Sequence, residues 1–92
     1  MKTFGDFIKN KREQLGIPQR KIAFKLDIDT STLSKIERNE RLVTVPMLSI
    51  LSDELKVNLD IIEYEFLKHK ISNDFKGVQS LKNNLLKISN EL

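Results

Sequence analysis

The chain has 92 residues, a formal net charge of +3, 32% charged residues and no cysteine. This length predicts one small domain, and the lack of cysteine excludes a disulfide framework and a thiolate metal site. No apolar run approaches the roughly 18 residues that cross a bilayer, and the N-terminus lacks the apolar core of a signal peptide, so we expect a cytoplasmic protein without membrane contact.

Glycines and prolines divide the chain into short helices, and no segment alternates apolar and polar residues as a strand would. The first helix is predicted from about Thr3 or Gly5 to Leu15, with a stop at Gly16. Pro18 suits the first turn of the second helix, because a residue there needs no N–H. The side chains predicted to face inward from these two helices are Phe4, Phe7, Ile8, Leu15, Ile22, Ala23 and Leu26.

A tight turn at Asp27–Asp29 is predicted to join the second helix to a third. Asp29 is a good N-cap, since its carboxylate can accept a hydrogen bond from the free backbone N–H of Ser31 or Thr32. Asn39 is suited to end the third helix in a left-handed conformation. The predicted buried pair of this helix is Leu33 and Ile36.

Two further helices are predicted, one opening at Pro46 after a loop through Val43 and Thr44, and one near Leu59 after a turn at residues 56–58. The fourth helix is expected to carry Met47, Leu48, Leu51 and Leu55 on its inner face. The apolar residues of the fifth predicted helix are Ile61, Ile62, Phe66 and Leu67.

Beyond a break at Gly77, apolar residues recur at spacings of three, four, three and four, which is the a/d stripe of a coiled-coil helix. About two heptads are too few for a stable coiled coil on their own. Two interpretations are open, because the stripe can fold back onto its own domain or pair with the same stripe of a second subunit. The candidate dimer-interface residues are Val78, Leu81, Leu85, Ile88 and Leu92.

Residues 17–41 have the layout of a helix-turn-helix, in which the second short helix carries small hydroxyl and basic side chains outward. The second helix of such a unit enters the DNA major groove. Residues 1–41 contain 10 Lys and Arg against 6 Asp and Glu, a net charge of +4, whereas residues 42–92 contain 6 against 7, a net charge of −1. The basic excess therefore lies in the half that would bind phosphate.

With these residues in view, the chain resembles the Cro/cI-type or XRE family of transcription regulators from residue 4 to about residue 67. The resemblance implies an all-α, five-helix, lambda-repressor-like DNA-binding domain over residues 1–70, with the helix-turn-helix at about 18–38. It leaves residues 71–92 as a C-terminal helical extension. The matching residues are Ile17, Gln19, Ile22, Ala23, Leu26, Ile28 and the run Ser31–Arg38.

The chain departs from the family at two turns, where Asp27 and Asn39 stand at positions that are often glycine. Both residue types tolerate a left-handed conformation better than most, so we expect the fold to survive. The whole chain is also similar, by general likeness, to small stand-alone regulators encoded beside restriction–modification genes.

The third helix is expected to offer its N-terminal side chains to the groove floor, where hydroxyls donate or accept and a lysine donates to guanine. Its candidate base contacts are Thr30, Ser31, Thr32, Ser34 and Lys35. The resemblance supports a phosphate contact by the glutamine that opens the second helix. The candidate phosphate contacts are Gln19, Arg20, Lys21, Arg38 and Arg41. The alternatives are capping chemistry for the hydroxyls and a solvated cationic face for the basic residues.

Arg12 and Glu37 occupy positions where the family commonly has a buried ion pair between the first helix and the end of the third. A Glu37 carboxylate that faced DNA would repel the phosphates, so we expect Arg12 and Glu37 to stabilise the fold rather than to contact DNA. His69 is the only histidine and has no cysteine to join it, so no metal site is expected. With no catalytic motif present, we expect no cofactor and no enzymatic activity.

These features predict a sequence-specific transcriptional regulator that binds an inverted-repeat operator in double-stranded DNA as a homodimer. RNA polymerase is a further candidate partner at a promoter. One alternative is an antitoxin whose stripe after Gly77 binds a toxin. Another is a protein–protein adaptor that keeps this fold without binding DNA.

Overall fold

The computed structural model describes residues 3–92, and within that range it contains six helices and no strand. The predicted all-α fold with a C-terminal helix is thereby confirmed. The helices are α1 (Phe4–Gln14), α2 (Gln19–Leu26), α3 (Thr30–Glu37), α4 (Val45–Leu55), α5 (Leu59–Asp74) and α6 (Leu81–Glu91).

Side-chain caps fix the start of α1. The Thr3 hydroxyl accepts a hydrogen bond from the Asp6 N–H at 3.2 Å, and the Asp6 carboxylate accepts one from the Thr3 N–H at 3.2 Å. Hydrogen bonding of the Asp6 carboxylate to the Thr3 backbone N–H, and to a lesser degree to the Thr3 side chain, holds the pKa of Asp6 below its ordinary value. The helix ends at Gln14, and Gly16 reverses the chain with a φ of 67°.

Three residues other than glycine adopt the left-handed conformation within the described part of the chain, and all three end helices or follow them closely. Asp27 ends α2, Asn39 follows α3 and Lys56 ends α4, with φ values of 58°, 62° and 57°. The prediction for Asn39 is therefore confirmed. Pro18 is the N-cap of α2, one residue before its predicted position, and Pro46 lies in the first turn of α4.

The inner faces of α1 to α5 meet in one core, where the Phe4 and Phe66 rings pack edge to face with centroids 5.6 Å apart. Phe7 and Met47 pack against its margin. The buried apolar side chains are Phe4, Ile8, Ile22, Ala23, Leu26, Leu33, Ile36, Val43, Leu48, Leu51, Leu55, Ile62 and Phe66.

The prediction that Leu15 faces inward is wrong, since its side chain is 46% exposed. Arg12 occupies the inner face of the last turn of α1, and the helix ends at Gln14. Leu15 therefore lies beyond the packed part of the core.

α1 and α3 approach each other closely at Gly5. A Cβ atom at this position would lie 2.5 Å from the carbonyl oxygens of both Ile36 and Glu37. The Asn39 side chain joins the same two helices, because its Oδ1 accepts a hydrogen bond from the Gly5 N–H at 2.9 Å and its Nδ2 donates to the Thr3 hydroxyl. The end of α3 is thus fixed against the start of α1.

α6 differs from the other helices because none of its residues is buried. Leu81 and Leu85 are half-buried, and Leu85 borders an apolar groove with Tyr64, Leu67 and Ile71 of α5. The remaining members of the predicted stripe, Val78, Ile88 and Leu92, are exposed. The fold of this single chain therefore covers only part of the stripe.

Candidate nucleic-acid interface

The turn between α2 and α3 is fixed by its own side chains. Asp27 adopts the left-handed conformation, and the Asp29 carboxylate accepts a hydrogen bond from the Thr32 N–H at 2.7 Å. The predicted N-cap is therefore confirmed, with Thr32 as the donor. Hydrogen bonds from the Thr32 side chain and backbone, and a weaker one from the Ser31 hydroxyl, hold the pKa of Asp29 below its ordinary value.

The predicted base-contact residues of α3 differ in exposure. Thr30, Ser31 and Lys35 are exposed, whereas Thr32 and Ser34 are half-buried. Leu33 and Ile36 lie in the core on the opposite face of the helix. α3 thus presents two hydroxyls and one ammonium outward while its apolar face anchors it.

A buried ion pair connects α1 to the end of α3. Arg12 donates from Nε to Glu37 Oε2 at 2.7 Å and from Nη2 to Glu37 Oε1 at 3.1 Å. Its Nη1 donates to the Ile17 carbonyl oxygen at 2.9 Å, in the loop before α2. The two side chains are only 11% and 3% exposed, and the hydrogen bonds to Glu37 raise the pKa of the Arg12 guanidinium. The pair thereby fixes α3 relative to α1 and the loop.

Gln19, the predicted phosphate contact at the start of α2, joins the same polar cluster. Its Nε2 donates to Glu37 Oε1 at 3.0 Å, and its Oε1 accepts a hydrogen bond from the Ser34 hydroxyl at 3.2 Å. Gln19 is half-buried, so its amide lies at the surface between α2 and α3. No side chain caps the N-terminus of α2, whose N-cap is Pro18.

The predicted basic phosphate contacts have different surroundings. Arg20 and Lys21 are exposed on α2. Arg38 pairs with Glu40, with Arg38 Nε 2.7 Å from Glu40 Oε2, and this contact raises the pKa of Arg38 and lowers that of Glu40. Arg41 lies in the loop after α3, where it lines a groove with the last turns of α5. Arg20 and Lys21 therefore lie in the first turn of α2 with Gln19, whereas Arg41 faces another part of the surface.

Lys9 is a candidate contact that the sequence interpretation missed. It is exposed and lines a cleft of about 420 Å³ together with Gln19, Ser34 and Arg38. Its position three residues before Arg12 carries a usable signal, because residues three apart share a helix face and Arg12 points toward α3. Asp6 lines the same cleft and opposes the positive charge there.

Other kinds of site find no support in the part of the chain that the structure describes. Residues 3–92 contain no group of three or more His, Cys, Asp and Glu side chains that could hold a metal ion. His69 is within 2.9 Å of the Asn73 side-chain amide, so its ring makes a local helix contact. No helix among the described residues is long and apolar enough to cross a membrane.

Comparison with known proteins agrees with this geometry. A family model described as Helix-turn-helix (HTH_3) matches residues 8–62, which is more than half of the chain and includes α2 and α3 in full. The protein is a DNA-binding transcriptional regulator of the helix-turn-helix class. It belongs to the XRE family of Cro/cI-type regulators, which is a family of DNA-binding domains rather than enzymes. Neither curated proteins nor solved structures give a significant match.

Proposed function

We propose that this chain recognises an inverted-repeat operator as a homodimer, with α3 of each subunit in the major groove. The observation that carries the proposal is the exposure of Thr30, Ser31 and Lys35 on a helix whose other face is anchored in the core. Two short hydroxyls and one lysine make few bidentate contacts, so specificity also depends on bridging water and DNA shape.

Phosphate contacts would fix the register of α3 on the duplex. Gln19 and the uncapped N-terminus of α2 lie together, and backbone N–H groups at a helix start favour an anion. The exposed side chains of Lys9, Arg20 and Lys21 add positive charge around this position. Arg38 would contribute after leaving Glu40, since a phosphate offers it the same bidentate geometry. Binding is therefore expected to weaken as salt rises.

Dimerisation is supported by apolar side chains that the single chain leaves exposed. Val78, Ile88 and Leu92 of the stripe are exposed, and the exposed side chains of Tyr64 and Leu67 on α5 line a groove with Leu85 of α6. A second copy of the chain would cover this surface. The recognition helices of such a dimer sit about 34 Å apart, which predicts half-site centres roughly 10 bp apart or a multiple of that spacing.

Selection of binding sites from randomised duplex DNA at about 0.15 M salt tests the proposal. Enrichment of an inverted repeat bound by two subunits is the expected result. Enrichment of a sequence bound by one subunit would contradict binding as a homodimer. No enrichment by folded protein would favour the alternative of a protein–protein adaptor that does not bind DNA.

Lys35→Ala tests the position of α3. It should weaken binding by about 1–3 kcal/mol and relax the preference at one base position, because lysine donates to guanine in the major groove. Lys76→Ala is the matched control, since it removes the same charge from the exposed turn after α5. A uniform loss across all sequences would make Lys35 a phosphate contact.

The exposed stripe also favours a second candidate function, in which the chain is an antitoxin and the stripe binds a toxin. Purified protein would then be monomeric, and α6 would show little protection from hydrogen exchange. A stable dimer with protected α6 amides would exclude this function for the stripe.

A further inference from the structure

The side-chain amide of Gln19 is held from two sides by residues of α3. Glu37 Oε1 accepts a hydrogen bond from Gln19 Nε2 at 3.0 Å, and the Ser34 hydroxyl donates to Gln19 Oε1 at 3.2 Å. Ser34 and Glu37 are three residues apart, so they share the face of α3 that meets α2. The amide is thus bound between two neighbours on one helix.

The chemistry of these groups permits only one orientation of the amide. The Glu37 carboxylate is paired with Arg12 and can only accept hydrogen bonds, so the amide nitrogen must face it. The amide oxygen must then face Ser34, whose hydroxyl has a single hydrogen to donate. One of the two Gln19 N–H groups remains without a partner among the described residues.

The cluster that holds Gln19 is itself fixed. Glu37 is bound by two hydrogen bonds from Arg12, and Arg12 also donates to the Ile17 carbonyl oxygen. Gln19 therefore loses its rotamer freedom on folding rather than on binding, which favours any contact that it makes with a ligand.

We propose that Ser34 is a positioning residue for DNA binding, which orients the Gln19 amide so that its free N–H points at a backbone phosphate. This rests on the proposed phosphate contact of Gln19. The hydroxyl hydrogen of Ser34 is used within the protein, so Ser34 does not donate to a base. Its removal therefore weakens binding equally for all sequences, in contrast to loss of a residue that reads a base.

A double-mutant cycle on the selected operator tests this role. Ser34→Ala should weaken binding by about threefold to tenfold, which is the usual range for one hydrogen bond, and the loss should be uniform across single-base operator variants. In the Gln19→Ala background, Ser34→Ala should cause little further loss, because the two residues act as one unit. Ser49→Ala is the matched control, since it removes an exposed helix hydroxyl on α4 and should leave binding unchanged.

Two outcomes of the cycle would overturn the inference while leaving the proposed function intact. One is a Ser34→Ala loss that persists in full in the Gln19→Ala background. The other is a changed preference at one base position, which would make Ser34 a base contact. Failure of the wild-type chain to bind any duplex would overturn the proposed function and the inference together.

The side-chain amide signals of Gln19 in the free protein give a readout that does not depend on DNA. The wild-type chain should show two distinct N–H resonances, one of them slow to exchange because it is bonded to Glu37. In Ser34→Ala the two should move toward each other and exchange faster, with thermal unfolding changed little. Unchanged amide signals in Ser34→Ala would contradict the positioning role.

Discussion

The region around the Arg12–Glu37 pair and the C-terminal helix α6 differ in how far contacts within one chain bury and pair their side chains. At the recognition end, the Arg12–Glu37 pair is bidentate and nearly inaccessible, and no side-chain nitrogen or oxygen buried within the described residues lacks a hydrogen-bond partner. At the other end, α6 buries no residue although its sequence is amphipathic. This contrast fits the proposed function, in which the end with the ion pair reads DNA and the exposed face of α6 is covered by a second copy of the chain.

Removing one member of the buried ion pair should give the largest effect. Glu37→Ala leaves the Arg12 charge buried without a counter-ion, which typically costs about 3–5 kcal/mol of the free energy of unfolding. Denaturant unfolding measures this loss. Because α3 is held through Glu37, DNA binding should fall together with stability.

The double variant Arg12→Met, Glu37→Leu is the control for this prediction. It removes both charges, so it should be much more stable than Glu37→Ala. A single variant that loses less than about 1 kcal/mol would mean that the pair is hydrated and does not fix the recognition end.

Deleting residues 78–92 should affect assembly rather than the fold. α6 contributes no buried residue, so the remaining chain should keep its helical content and thermal unfolding. Light scattering should show a monomer in place of a dimer, and operator affinity should fall by about 100-fold because the two half-sites are no longer bound by linked subunits. If the shortened chain is still a dimer, the interface must lie on another surface, such as the exposed apolar face of α5.

Two glycines give a matched comparison of the two regions. Gly5→Ala places a Cβ atom 2.5 Å from two carbonyl oxygens of α3, so α1 must shift, at a cost of about 1–3 kcal/mol. Gly77→Ala adds a methyl group in open space and should change stability by less than about 0.5 kcal/mol. Denaturant unfolding of both variants measures the difference. Equal changes in the free energy of unfolding for the two variants would show that α1 can move away from α3 at little cost.

Much of the fold could be predicted because its determinants are local. Leu33 and Ile36 are three residues apart, which marks one face of a helix, and both are buried. The Asp29 cap and the left-handed Asn39 also follow from residue chemistry at a helix end. The helix-turn-helix assignment depends on the same local pattern, which explains why it agrees with the family match.

The arrangement of the candidate site could not be predicted to the same depth, because it depends on how distant helices pack. Ser34 donates to Gln19 across 15 positions of the chain, and no local spacing signals that bond. The inclusion of Lys9 in the cleft beside α2 and α3 likewise depends on the close approach of α1 at Gly5. The exposure of Leu15 was also not foreseen, because helical spacing gives a face but not the residue at which the packed part of α1 ends.

The smallest predicted effect is the acid sensitivity of the α3 N-cap. Hydrogen bonds from Thr32 lower the folded-state pKa of Asp29 from its ordinary 3.8, so the charged carboxylate stabilises the folded state above that pH. This stabilisation is lost as pH falls below about 3.8 and through the lower folded pKa. Asp29→Asn keeps a cap oxygen without the charge, so its stability should change less than that of wild type between pH 5 and about pH 2.5, measured by thermal unfolding. Asp60→Asn, on the exposed start of α5, is the control for removing an acidic charge, and an equal change in both variants would show that Asp29 has no special role in acid.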